Sequence, residues 1–294
     1  MAIACFGEML WDVLPTSKQP GGAPLNVAVH LRNFGADAQI ISRVGCDDLG
    51  TELLKFVVAK GISTAYVQRG ETYPTGVVSA NVSDTNEVTY KIVQPVAWDY
   101  IQYDDTLGQL VAAADAFVFG SLVGRNPVSR ATLYQLLEHA RLKVFDVNFR
   151  APYYSREVVT YLLQQAHVVK LNHHELAEIA DWFGGPATEE TALPWLAGRF
   201  GLETVCVTKG ADGAVLWTDR QLHRCDGVPI AVQDTIGSGD AFLAALLTGR
   251  LTGQPPADYL AFACAAGALV ATYQGATPAI SAAQVRALAA LPAA

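Results

Sequence analysis

Residues 234–242 read Asp234-Thr235-Ile236-Gly237-Ser238-Gly239-Asp240-Ala241-Phe242 and run straight into a helix-like stretch, Ala241–Leu251. Small residues ahead of a helix leave backbone N–H groups uncovered and let a bulky anion approach them. The helix dipole adds partial positive charge at the same place, so the turn forms a phosphate cradle. A carboxylate there would repel phosphate. Asp240 makes chemical sense if it takes the proton from a hydroxyl attacking phosphorus, while the amides hold the charge on the transferring group. The competing reading is that Asp240 merely caps the helix and the glycines only serve the turn.

A second glycine cluster, Gly21-Gly22-Ala23-Pro24-Leu25-Asn26-Val27-Ala28, opens another helix near the N-terminus. Paired glycines admit a ligand close to the backbone, and Asn26 on the first turn offers a donor and an acceptor to hydroxyls. An ordinary loop and cap would read the same way.

Outward from these turns, short apolar runs at Ile3–Phe6, Gln39–Ser42, Phe117–Phe119, Val144–Val147, Val168–Leu171 and Val205–Val207 read as buried strands. They alternate with amphipathic segments at Leu25–Phe34, Leu49–Ala59, Thr106–Ala113, Ser129–Ala140, Glu157–Gln165 and Glu175–Trp182. This alternation predicts an α/β fold, a mainly parallel sheet with helices on both faces. Two long helices rich in small residues, Ala241–Leu251 and Ala257–Thr272, close the pattern, and the Ala-rich tail after Ser281 predicts one more short helix. The rhythm breaks at 75–92, TGVVSANVSDTNEVTYKI, where two period-two strands flank Ser83-Asp84-Thr85-Asn86. That is a hairpin pattern, either an extra edge of the sheet or a flap standing off it. No repeat, linker or domain boundary interrupts 1–294.

Composition sets the outer bounds. The 294 residues are 51% apolar and 16% charged, too apolar and too weakly charged for a disordered chain. The net charge is −8 and no stretch concentrates Lys or Arg, which argues against a nucleic-acid partner. MAIACFGEML carries no basic segment or long apolar run before a cleavage site, so the expectation is a cytoplasmic protein without a signal peptide. The charge-free stretch Tyr259–Val285 is interrupted by polar residues and reads as a buried helix, not a membrane span. Cys5, Cys46, Cys206, Cys225 and Cys264 are scattered without a CxxC pair and read as reduced core thiols. No GxxxxGK[ST] occurs, and Cys5-Phe6-Gly7-Glu8-Met9-Leu10 lacks GxGxxG, which disfavours a P-loop protein and a dinucleotide oxidoreductase. His173-His174-Glu175 fails the HExxH zinc pattern because position 178 is Glu, so these histidines read as solvated loop residues.

GGxxxNxA near the start and DTxGxGD near the end, in this order and spacing, resemble the two signatures of the ribokinase-like (PfkB) carbohydrate kinases. GEMLWDVLP is similar to that family's first strand with its sugar-binding acid. PGGAPLNVAVHLRNFGA, SRVGCDDLG, FDVNFR, KLNHHEL, VTKGADGA and GALVATYQGATPAI resemble its later blocks, most closely in the fructokinase branch. The resemblance covers essentially the whole chain and implies a three-layer αβα ribokinase-like fold with a small β-lid. That lid would be formed mainly by about residues 75–98 and a short N-terminal piece at about 10–20.

The resemblance also implies roles. Asp240 would be the general base, with Gly237, Ser238 and Gly239 as the anion hole. Asp12, Gly21, Gly22 and Asn26 would bind sugar hydroxyls, Tyr90 would add an aromatic contact from the lid, and Asn148 and Arg150 would lie near the substrate or the phosphate. Asn172 and Glu175 would organise Mg²⁺ and ATP phosphates through water. Thr208, Gly210 and Gly213 would border the nucleotide. Asp234 and Ile236 would bind a monovalent cation, K⁺ in some relatives. The implied activity is ATP-dependent phosphorylation of a sugar primary hydroxyl, D-fructose first, in a homodimer paired through its lids. Ribose, a nucleoside, 2-keto-3-deoxygluconate and aminoimidazole riboside remain rival acceptors, and a silent sugar-binding homologue remains a rival class. Departures from the family pattern are His173 and His174 in place of acids, Lys209 in VTKG, and Cys264 where Asn is common near adenine.

Overall fold

The computed structural model describes residues 1–14, 17–82 and 88–291. In chain order the first half comprises β1 (Ala2–Phe6), β2 (Leu10–Leu14), β3 (Ser17–Gly21), α1 (Ala23–Asn33), β4 (Asp37–Gly45), α2 (Asp48–Ala59), β5 (Val67–Gly70), β6 (Gly76–Val82), β7 (Val88–Ile92), α3 (Asp105–Ala113), β8 (Ala116–Gly120) and α4 (Pro127–His139). The second half comprises β9 (Lys143–Asp146), α5 (Arg156–Gln165), β10 (Val168–Asn172), α6 (His173–Phe183), α7 (Glu189–Phe200), β11 (Thr204–Thr208), β12 (Ala214–Thr218), β13 (Gln221–Cys225), α8 (Ser238–Leu251), α9 (Pro256–Ala271) and α10 (Ala282–Leu288).

Nine strands form the main sheet in the order β13-β12-β11-β10-β9-β8-β1-β4-β5. The seven from β11 to β5 pair in parallel, and β12 and β13 continue the sheet antiparallel. Side chains alternate between two cores, as strand periodicity requires. Ile3 and Cys5 of β1 enter one core while Ala4 and Phe6 enter the other. Ala116 and Val118 of β8 likewise oppose Phe117 and Phe119. α1, α8 and α9 cover the first face; α4, α5 and α7 cover the second. This is the three-layer αβα arrangement, and it explains why the central strands read as unbroken apolar runs.

A second sheet of four strands, ordered β3-β2-β6-β7, is separate from the first. The pairs β2–β3 and β6–β7 are antiparallel and β2–β6 is parallel. The 75–92 hairpin is thus a flap and not an edge of the main sheet. Its turn, 83–87, and the Tyr90 side chain lie outside the described residues. Asp12 sits on β2 of this second sheet, because the first strand already ends at Phe6. Asp47 ties the flap's entry to α2: its carboxylate caps Gly50 N at 2.7 Å and accepts from Thr75 N at 2.8 Å and Thr75 Oγ1 at 2.6 Å.

Two expectations about local structure change. Cys46 is exposed and Cys225 half-buried, so only Cys5, Cys206 and Cys264 are core thiols. His173 and His174 are exposed as expected, but they form the first turn of α6, not a loop. Among the described residues no helix is long and apolar enough to cross a membrane.

Candidate active site

The candidate residues lie at the carboxyl ends of the parallel strands: those around Asp240 near β1, where the chain's winding reverses between β4 and β8, and Asn172 and Thr208 further along, on β10 and β11. Open α/β sheets bind ligands at such a point. α8 begins at Ser238, three residues earlier than the sequence suggested, so Ser238, Gly239 and Asp240 belong to its first turn. Gly237 is its N-cap at φ 78°, and a β-carbon there would collide with the Ala276 carbonyl. Only glycine accepts that conformation and that neighbour.

The proposed anion hole is partly spent. Ser238 N–H donates to Thr235 O at 3.2 Å and Asp240 N–H to Gly237 O at 3.1 Å. The Gly237 and Gly239 amides have no partner among the described residues. The Ser238 hydroxyl is buried and also unpartnered. Among the described residues, two amides and one buried hydroxyl of this turn thus lack an internal partner.

Asn26 comes from the first turn of α1, whose N-cap Gly22 adopts φ 109° beside the Glu8 carbonyl, where a side chain would clash. Its Nδ2 donates to Asp240 Oδ2 at 2.8 Å, joining residues 214 apart in sequence. One turn further on, His30 Nε2 bonds the Ala276 carbonyl at 2.9 Å. Burial pushes that imidazole down to about 4, so it stays neutral. α1 thereby fixes both the carboxylate and the loop against which Gly237 packs. Gly21 lies against the Asp12 carboxylate, which a side chain at position 21 would displace.

Burial dominates the electrostatics. It raises Asp240 above the usual carboxylate range, opposed by Lys170, the Asn26 bond and Arg150. Asp12 is pushed up to about 6 by burial, with Arg150 opposing and Asp240 adding to the rise. Glu8 is pushed up to about 7 by burial, although its Oε1 accepts from Ala23 N at 3.3 Å; its Oε2 is buried without a partner. Arg150 is exposed, yet its charge acts on Glu8, Asp12, Asp146 and Asp240, so it faces the cluster. Asn148, just before it, takes φ 40°, a left-handed conformation that asparagine tolerates.

Asn172 and Glu175 form a capping box at the start of α6. Asn172 Oδ1 accepts from Glu175 N at 2.9 Å, and Glu175 Oε2 accepts from Asn172 N at 2.8 Å. Glu175 Oε1 accepts from Phe149 N at 2.8 Å, so the same carboxylate anchors the 147–150 loop. Thr208 pairs in register with Asn172, and Gly210 and Gly213 follow in the turn before β12. Lys209 is paired with Glu189 of α7 at 3.5 Å. Asp234 spends both oxygens on backbone N–H groups, of Ile236 at 3.0 Å and Gly275 at 3.0 Å, while Ile236 itself is exposed.

Three charged residues here escaped the sequence reading: Glu8, Asp146 and Lys170. Glu8 lies two residues after the end of β1, and Asp146 and Lys170 are cross-strand partners on β9 and β10. A charged residue in the apolar run Val168–Leu171 was the available signal for Lys170.

A helix N-terminus with open amides, a buried carboxylate beside it and hydrogen-bonding groups opposite define a phosphotransferase acting on a hydroxyl compound. The family model for "pfkB family carbohydrate kinase" matches residues 4–283, and the chain belongs to that family. A fructokinase of Klebsiella pneumoniae is 30% identical over 296 residues, covering 94% of each chain. The crystal structure of a fructokinase with bound ATP from Xylella fastidiosa superposes with a TM-score of 0.85 at 25% identity, covering 98% of this chain and 97% of that one. The 2-dehydro-3-deoxygluconokinase of Thermotoga maritima shares the fold, with a TM-score of 0.85 at 20% identity over 99% of both chains.

Proposed function

We propose that this carbohydrate kinase transfers the γ-phosphoryl group of ATP to a sugar primary hydroxyl, with D-fructose as acceptor and fructose 6-phosphate as product. One observation carries the reading. Asp240 is held 2.8 Å from Asn26 in the first turn of α8, beside two amides without partners. Asn26 occupies one carboxylate oxygen and leaves the other for the acceptor proton. As Asp240 takes that proton, the sugar oxygen attacks the γ-phosphorus and the bond to the bridging oxygen breaks, releasing ADP. The Gly237 and Gly239 amides and the Ser238 hydroxyl stabilise the charge on the transferring group. Asp12, Gly21, Gly22 and Asn26 orient the sugar; Asn148 and Arg150 border the phosphate; Thr208, Gly210 and Gly213 border the nucleotide.

Mg²⁺ would neutralise charge on the ATP phosphates. Such an ion is carried mainly by phosphate oxygens and water, with only one or two protein groups beside it. Glu175 and Asn172 would hold its waters with the lone pairs that their backbone bonds leave free. A K⁺ ion at the 234–236 loop would lean on main-chain carbonyls, since Asp234 already serves two amides. The second sheet, which carries Asp12, is read as a lid that excludes water and pairs with a second copy. The fructokinase names of the relatives support fructose. A sugar acid is the second reading, favoured by Arg150, whose charge reaches both Asp12 and Glu8.

The test is ADP release over fructose, ribose, glucose, 2-keto-3-deoxygluconate and adenosine, with and without K⁺. Fructose should turn over fastest. Asp240→Asn should lower kcat by about 10²–10⁴-fold while sugar and ATP still bind, the range of a lost general base. Near-normal turnover by that variant would sink the assignment, and preference for the sugar acid would establish the second reading.

A further inference from the structure

Beneath the turn that opens α8 lies a buried cation. Lys170 shares its face of β10 with Val168, which belongs to the core under α8, and is only 7% exposed. Its ammonium donates to Asp146 Oδ1 at 3.0 Å and Oδ2 at 3.2 Å. Asp146 is 3% exposed and directly opposite on β9. A β-carbon on Gly239 would stand 3.1 Å from Lys170 Nζ, so the ammonium lies against the first turn of α8. Packing alone does not explain the pair, because a buried ion pair adds little net stability over apolar residues of the same volume.

We propose that Lys170 and Asp146 act as a positioning pair for phosphoryl transfer, Lys170 setting a fixed positive charge against the α8 turn and Asp146 setting how much of it reaches Asp240. The inference rests on the function proposed above. The charged groups around Asp240 are Lys170 from β10, Asp146 from β9, Arg150 from the 147–150 loop, Glu8 from the β1–β2 connection and Asp12 from β2. Burial works against the Lys170 ammonium, but Asp146, Asp240 and Glu175 more than offset it and hold it above the usual lysine range. Two buried carboxylates thus share one buried ammonium.

This sharing makes the two partners act in opposite directions. Without Lys170, Asp146 and Asp240 face each other with no buried cation, and one of them takes up a proton near neutrality. Without the Asp146 charge, Asp240 has the ammonium to itself and becomes a weaker base. A clamp that only held β9 to β10 would give both variants the same defect and leave the titration of Asp240 where it was.

The experiment measures kcat against pH for the parent, Lys170→Met, Lys170→Arg, Asp146→Asn and the Lys170→Met/Asp146→Asn double variant. In parallel, ¹³C NMR follows the Asp240 carboxyl in unliganded protein, and thermal melts check folding. Lys170→Met should move the acid limb and the NMR titration up by about one pH unit or more, and Asp146→Asn should move both down. At pH 7 Lys170→Met should lose about tenfold or more in kcat and recover as pH rises, with the sugar KM little changed. Lys170→Arg should keep the parent's acid limb, and the double variant should return toward it. Shifts in the same direction, or no shift in either readout, overturn the inference. Failure of the underlying function shows separately, as a parent protein that releases ADP with no sugar in the panel.

Discussion

Glu8 and Asp240 are both buried carboxyls, but only Asp240 has a charged partner in contact range of its helix turn. Glu8 has one oxygen on Ala23 N–H and the other on nothing among the described residues. With its carboxyl pushed up to about 7, the folded protein binds a proton that the unfolded chain gives up near pH 4.5. Stability from this group is therefore full below about pH 4.5 and is lost as pH rises through about 7. The upper bound on the loss is on the order of 3 kcal/mol. Glu8→Gln should match the parent near pH 5 and exceed it above pH 7 in urea melts, since glutamine can still accept from Ala23. Equal stability at both ends would mean that Glu8 is ionised in the fold. Asp240 and Asn26 were legible in the sequence because each stands in a glycine-marked turn. Glu8 was not, since a lone acid after a strand looks the same whether it is solvated or sealed.

At the scale of elements, α6 shows how one spacing can serve two purposes. N-x-x-E is the pattern expected of a magnesium block, and it is also a capping box. Glu175 gives one oxygen to Asn172 N and the other to Phe149 N, so it both starts a helix and anchors the loop that carries Asn148 and Arg150. Glu175→Gln has only one amide oxygen for these two donors, and its NH₂ must face the second. The unliganded protein should lose about 1–3 kcal/mol, the cost of a buried donor left without a partner, read from thermal melts without Mg²⁺ or nucleotide. Unchanged stability there would assign Glu175 to the ion alone. Most central strands and flanking helices were legible because parallel strands buried on both faces read as apolar runs. α7 was missed because Pro194 and Gly198 interrupt its pattern, although it spans Glu189–Phe200. β12 and β13 were missed, and β2 and β3 entered only as the lid piece at about 10–20 that the resemblance implied, because short antiparallel strands at a periphery carry mixed polarity. They are recognised by their pairing partners, which a single segment does not reveal.

At the scale of the whole molecule, the second sheet is fastened to the main body along β2 and β3, where Trp11 Nε1 donates to the Leu49 carbonyl at 3.0 Å and Lys18 pairs with Glu52, and at both ends of the 75–92 flap. Asp47 grips Thr75 at the entry. At the exit, Arg125 is bidentate to Asp99, donates to the Val93 carbonyl at 2.9 Å, and stacks on Trp98 with its guanidinium 3.9 Å from the ring centroid. Tyr153 OH donates to the Ile92 carbonyl at 2.9 Å. Both ends of the flap are thus held, while Asp12 is carried on β2, on the far side of β6 from β7, and Asn26 and Asp240 belong to the main body. A sugar bound to both groups would bridge the two sheets, so binding energy would appear as closure and not only as affinity. Hydrogen exchange should then slow in the amides of β6 and β7 when sugar is added, although those strands contain none of the main-sheet residues. Sugar at about one hundred times its Kd should also stabilise the fold by about 2.7 kcal/mol, a Tm rise of about 5 °C for a chain of this length. Asp12→Ala should abolish the slowed exchange while leaving ATP-induced protection around α8 intact. If sugar raises Tm but leaves β6 and β7 exchanging at the unliganded rate, the second sheet is a fixed wall of the site and closure plays no part in excluding water.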